Sequence, residues 1–193
     1  MPQKEKSGSK WLKKLLFIHK VVESGRKWLV FAFSYLFLFK VKNEIMAYLS
    51  GEYECKMDAK GRMVLPARIK STLPDAEVTK VFVKRGFEAC LVLYPELEWK
   101  KVYSKVAGLS EFNEEQRNFQ RNFFSGSAEL ELDSAGRFLI PKLMLKYADI
   151  DKDAIVVGVG NRVEIWNPDK YNQYLIKDQN EFSKQAEKFL SGQ

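Results

Sequence analysis

A sixteen-residue motif written twice in one chain commits the fold to two copies of one supersecondary unit. GEYECKMDAKGRMVLP at residues 51–66 returns as GSAELELDSAGRFLIP at residues 126–141, a constant offset of 75. Gly51/Gly126, Glu54/Glu129, Asp58/Asp133, Gly61/Gly136, Arg62/Arg137 and Pro66/Pro141 are identical pairs, and the positions between them keep their polar or apolar character. Each copy reads as strand, tight turn, strand. Tyr53, Cys55 and Met57 alternate with charged residues, as do Ala128, Leu130 and Leu132, and a period of two marks a half-buried strand. Gly61 and Gly136 supply the positive φ that a tight reversal needs, and Asp58 and Asp133 suit the turn entry because a short carboxylate accepts backbone N–H groups. The apolar runs Met63-Val64-Leu65 and Phe138-Leu139-Ile140 then predict a strand buried on both faces, and Pro66 and Pro141 open a short helix in each copy.

Beyond its helix each copy continues with a second strand pair, turning near Gly86 in one and near Gly160 and Asn161 in the other. Tyr94-Pro95-Glu96 and Asn167-Pro168-Asp169 then open helices, with Asn167 as N-cap and the prolines at the first helical position. Trp99, Val102, Tyr103 and Val106 form a core-facing stripe. Between the copies, LSEFNEEQRNFQRNFF predicts a helix capped by Ser110, with Phe112, Phe119 and Phe123 on one face and Arg117 and Arg121 one turn apart. At the C-terminal end Tyr171, Leu175, Phe182 and Phe189 are spaced for a packing seam that Asp178 and Gln185 interrupt. Units of about 50 residues bury too little surface to be stable singly, so the copies are expected to pack as one body or to oligomerise.

Charge narrows the function classes once it is divided. Of 32 Lys and Arg and 25 Asp and Glu, residues 1–45 hold ten basic and three acidic, leaving 22 of each sign in the remainder. The basicity lies in the N-terminal extension, and any nucleic-acid binding elsewhere must come from a local patch. The extension also carries a twelve-residue apolar run at residues 28–39, short of the ~20 residues a spanning helix needs. Its leading reading is a start codon assigned upstream of a true start at Met46. A disordered or membrane-surface tail and an anchor are the alternatives. The two cysteines, Cys55 and Cys90, read as small buried hydrophobes in a reducing compartment rather than as a disulfide. No enzyme is expected: Glu52, Glu54 and Asp58 line one strand face without a histidine in either repeat, and VGVGNR lacks the third glycine of a dinucleotide loop.

GEYECKMDAKGRMVLPAR, CLVLYPELEW, RNFFSGSAELELDSAGRFLIP and VGVGNRVEIW resemble the MraZ family of bacterial transcriptional regulators, from about Met46 to the C-terminal helix. The hallmark D-x-x-x-R occurs in both halves, at residues 58–62 and 133–137. The resemblance implies a mainly β, α+β fold of two tandem AbrB-like swapped-hairpin half-barrels in one chain, related by a pseudo-two-fold axis and followed by a C-terminal helix. The expected boundaries are an extension at 1–45, a first SpoVT-AbrB-like domain at 50–98, a helical connector at 99–125, a second such domain at 126–169 and a C-terminal helix at 170–193. Family members assemble as homo-oligomeric rings on direct repeats upstream of the division and cell wall gene cluster, usually repressing it. The implied partner is therefore double-stranded promoter DNA, with no cofactor, metal or small-molecule substrate, and the implied location is cytoplasmic and nucleoid-associated. Lys60, Arg62, Arg68, Arg137 and Lys142 are the candidate DNA contacts, with Arg62 favoured over Arg137 because Ala135 replaces the neighbouring lysine. Asp58, Gly61, Asp133 and Gly136 are the candidate turn-builders. A protein-binding module of antitoxin type is the alternative function.

Overall fold

The computed structural model describes residues 48–73 and 79–191. The expectations for the extension at residues 1–45 lie outside them. The described residues belong to one compact unit, Ala47–Gln193. Its strands are β1 (Leu49–Lys56), β2 (Arg62–Val64), β3 (Thr79–Arg85), β4 (Leu91–Pro95), β5 (Ala128–Leu132), β6 (Arg137–Leu139), β7 (Asp153–Gly160) and β8 (Val163–Trp166). The helices are α1 (Ala67–Lys70), α2 (Glu96–Ala107), α3 (Glu114–Phe124), α4 (Lys142–Ala148), α5 (Pro168–Tyr174) and α6 (Gln179–Leu190).

Six strands form one antiparallel sheet in the order β1-β7-β8-β4-β3-β5, and β2 and β6 form a separate two-stranded ribbon. Each repeat completes the other. The first strand of repeat one pairs with β7 of repeat two (Glu54 opposite Ile155), and the first strand of repeat two pairs with β3 of repeat one (Glu129 opposite Phe82). The ribbon is centred on Met63 opposite Phe138, and β4 meets β8 at the middle of the sheet. These pairings relate the halves by a pseudo-two-fold axis.

Burial follows the period of two. Val81 and Val83 of β3, Leu91 and Leu93 of β4, Val156 of β7, and Val163 and Ile165 of β8 are fully buried on one sheet face. Met63, Leu65, Phe138 and Ile140 from the ribbon region close over them, with Ile69 of α1 and Met144 and Ala148 of α4. Each of these side chains larger than alanine contributes about 1.5–3 kcal/mol of burial free energy. On the opposite face α2 and α3 cover one end with an aromatic stack: Trp99 lies 5.6 Å from Phe82 at 6° and 6.3 Å from Phe123 at 14°. Trp166 and Tyr171 cover the other end with Cys90, Val92 and Ile155. Both cysteines are free thiols, and burial pushes Cys90 up to about 12.

Several expectations are corrected. The apolar runs are not buried on both faces, since Val64 is 52% and Leu139 55% exposed while their neighbours point inward. A two-stranded ribbon packed on one side of a core has one free face. Ser110 does not cap the connector helix. Asn113 does, accepting from Gln116 N, while Ser110 Oγ accepts from Phe112 N before the helix begins, leaving Phe112 exposed. Pro95 ends β4 as the N-cap position, and α2 starts at Glu96. Tyr103 of its stripe is half exposed. The C-terminal segment is two helices, because Asp178 caps α6 after a break, and Leu175, Phe182 and Phe189 stay exposed instead of forming a seam.

Candidate nucleic-acid interface

The two D-x-x-x-R turns fold alike, bond for bond. Asp58 Oδ1 accepts from Lys60 N at 2.8 Å and Arg62 N at 2.9 Å, and Asp58 Oδ2 accepts from Arg62 Nε at 2.7 Å. Asp133 repeats this with Ala135 N at 2.9 Å, Arg137 N at 2.9 Å and Arg137 Nε at 2.7 Å. Gly61 and Gly136 stand at φ +80 and +76, and their N–H groups donate to the carbonyls of Asp58 and Asp133. A side chain is disfavoured in that left-handed region, so both positions call for glycine. The loops are then tied to each other's strands: Leu65 N donates to Gly136 O at 2.9 Å and Ile140 N to Gly61 O at 3.1 Å.

Both aspartates are held below the usual carboxylate range, foremost by the backbone N–H of Arg62 or Arg137, with the guanidinium adding to it. The side chains of both ion pairs are more than a third exposed, so water screens them and their worth is geometric. Each aspartate occupies the Nε of its arginine. Among the described residues the Nη1 and Nη2 groups of Arg62 and Arg137 make no hydrogen bond, so each arginine presents a fixed, unoccupied two-donor edge.

In the ribbon, Met63 and Phe138 face the core, so Arg62, Val64, Arg137 and Leu139 share the outer face. The register alternates charge and apolar surface, with Arg62 opposite Leu139 and Val64 opposite Arg137. Sequence reasoning missed Val64 and Leu139, because a short apolar run looks the same whether one or both faces are buried.

The remaining candidates sit around this ribbon. Lys60 is exposed at the tip of the first loop, and Lys142, from the start of α4, lines with it a cleft of about 500 Å³ that also includes Lys56, Lys152, Asp58, Asp151 and Asp153. That cleft mixes signs and is not a dedicated cation pocket. Arg68 is exposed on α1 and makes no side-chain hydrogen bond among the described residues. Lys70, absent from the sequence candidates, donates from Nζ to Ser134 O at 3.0 Å in the second loop. Helix and loop are thus exchanged between repeats: α4 stands beside the first turn and α1 beside the second. No group of three or more His, Cys, Asp and Glu side chains suited to a metal occurs among the described residues.

Strands that complete a neighbour's hairpin are what two AbrB-like units exchange when they fold around each other, and here one chain supplies both. The class is therefore the fused swapped-hairpin proteins, of α+β type with the sheet dominant. Comparison with known proteins narrows it. The family profile described as "MraZ protein, putative antitoxin-like" matches twice in succession, over residues 48–122 and 123–191. The transcriptional regulator MraZ of Cytophaga hutchinsonii is 61% identical over 146 residues, 76% of this chain and 97% of that protein. Those of Carboxydothermus hydrogenoformans and Heliobacterium modesticaldum are 41% and 38% identical over 140 residues, 72% of this chain and 95% of each relative. The chain belongs to the MraZ family, whose members named here are transcriptional regulators rather than enzymes.

Proposed function

We propose that this chain is a sequence-specific DNA-binding regulator that represses its own operon and the division and cell wall genes, acting from the cytoplasm and nucleoid as a homo-oligomeric ring on upstream direct repeats. The carrying observation is the outer face of the β2–β6 ribbon. Two arginines held at Nε present free Nη edges suited to guanine or phosphate, and Val64 and Leu139 between them suit thymine methyl groups. Lys60, Arg68 and Lys142 around the ribbon supply phosphate contacts, and Asp58, Gly61, Asp133 and Gly136 hold the turns. The sequence domains at 50–98 and 126–169 are the two DNA-facing units, with 99–125 and 170–193 as helical additions. One unit carries few cations, so the affinity of a ring comes from repeating them along successive DNA repeats. The reading involves no cofactor, small-molecule substrate or membrane contact.

The test is a gel-shift with the DNA upstream of the chain's own gene, titrated against salt. Arg62→Ala is expected to weaken binding at least about tenfold, in line with the loss of a bidentate base contact. Wild-type affinity in that variant sinks the assignment. Absence of binding by the wild type at every salt concentration favours a protein-capping role of antitoxin type instead. Light scattering that returns a monomer mass overturns the ring.

A further inference from the structure

The two turns differ at one cation. Lys60 stands at the tip of the first loop, whereas its counterpart in the second is Ala135. The helices beside the loops differ in the opposite sense. Leu145 of α4 packs against the first loop, its Cδ1 3.5 Å from where a Cβ on Gly61 would lie. At the equivalent position in α1, offset by the same 75 residues, stands Lys70. Its Nζ donates to Ser134 O at 3.0 Å and lies 3.3 Å from where a Cβ on Gly136 would be. The ammonium group is therefore bonded to the residue before Ala135 and lies over the residue after it.

We infer that Lys70 is the phosphate-contacting lysine of the second turn, delivered from the other repeat to the place where Ala135 lacks one. The inference rests on the reading of the ribbon as the DNA-contacting face. An ammonium group has three donors, and Ser134 O takes one, which leaves two for phosphate oxygens. The half-buried stem packs on the Gly136 backbone, so the head is held in place rather than swinging free. Each turn then carries one latched arginine and one lysine, and the apparent weakness of the second turn disappears. The cation of each loop comes by a different route: from the loop itself in the first, and from the α1 helix in the second.

The experiment measures affinity for the upstream duplex across a potassium chloride series, on the full chain, for wild type, Lys70→Met, Ala135→Lys, the double variant and Arg62→Ala. Methionine keeps the packing of the stem and removes the charge. Lys70→Met is expected to weaken binding several-fold and to make the log–log salt slope shallower by about one for each second turn engaged. Ala135→Lys in that background is expected to restore both. Loss of affinity in Lys70→Met with an unchanged slope and no rescue overturns the inference, because Lys70 then acts only as a structural tie to Ser134. An unchanged Lys70→Met beside a crippled Arg62→Ala also overturns it while leaving the DNA-binding reading intact. If Arg62→Ala binds like wild type, the DNA-binding reading itself falls. Should Lys70→Met fail to fold, Lys70→Gln, which keeps an N–H donor for Ser134 O and loses the charge, takes its place: a slope shallower by about one supports the inference, and a wild-type slope overturns it.

Discussion

Asp58 and Asp133 make the plainest case for chemistry at the residue scale. Their folded pKa values lie below the ordinary carboxylate value, so they stabilise the fold above the unfolded value of about 3.9. That contribution is lost as pH falls through the folded pKa. Asp58→Asn and Asp133→Asn are therefore expected to melt below wild type at pH 7, and the gap should close as pH drops under about 4. Circular-dichroism melts from pH 7 to pH 2.5 check this, and a gap undiminished at pH 2.5 rules out the carboxylate charge as its source. The turn role of these aspartates was legible because a short carboxylate before a glycine has few other uses. The exposure of Val64 and Leu139 was not, since nothing in a three-residue run says which side meets the core. Lys70 had a signal, the exchange of Lys60 and Leu145 for Ala135 and Lys70 at one common offset, but that signal has meaning only once the helices are known to cross.

At the scale of elements, helix ends separate what local chemistry decides from what it leaves open. Asn167 before a proline predicts the cap of α5, and in the structure it accepts from Asp169 N and Lys170 N. Ser110 and Asn113 are both cap types three residues apart, and propensity does not choose between them. Gln116 does: its N–H reaches Asn113 Oδ1 while its own Oε1 accepts from Ser110 N. Helix α4 ends on Asp149 at φ 58, a left-handed cap where glycine is preferred. Asp149→Gly is expected to stabilise by about 0.5–1 kcal/mol, since its ion pair with Lys170 is exposed and worth little. Gly61→Ala is expected to cost about 1 kcal/mol or more at the opposite kind of site. Urea unfolding of both variants tests the pair, and equal midpoints would refute the backbone argument.

For the whole molecule, duplication was written in the sequence and exchange was not. Alternation identifies a strand and its inward face, but it is silent on the partner, so the cross-pairing of β1 with β7 and β5 with β3 followed only from family resemblance. The exchange makes the halves interdependent. Fragments 48–122 and 123–191, made separately, are expected to give no cooperative melt as monomers and to regain one when mixed. A cooperative melt from a monomeric fragment would show that a unit completes itself. A fragment dimer would make the same exchange between two copies. The pairing also sets a clock. Glu54 of β1 waits for Ile155, about a hundred residues downstream, and at the pace of synthesis that delay is roughly 5–20 s. Throughout it β1 has an open edge, and the next nascent chain on the same message carries an identical one, so neighbouring ribosomes hold strands that can trade places before either chain is finished.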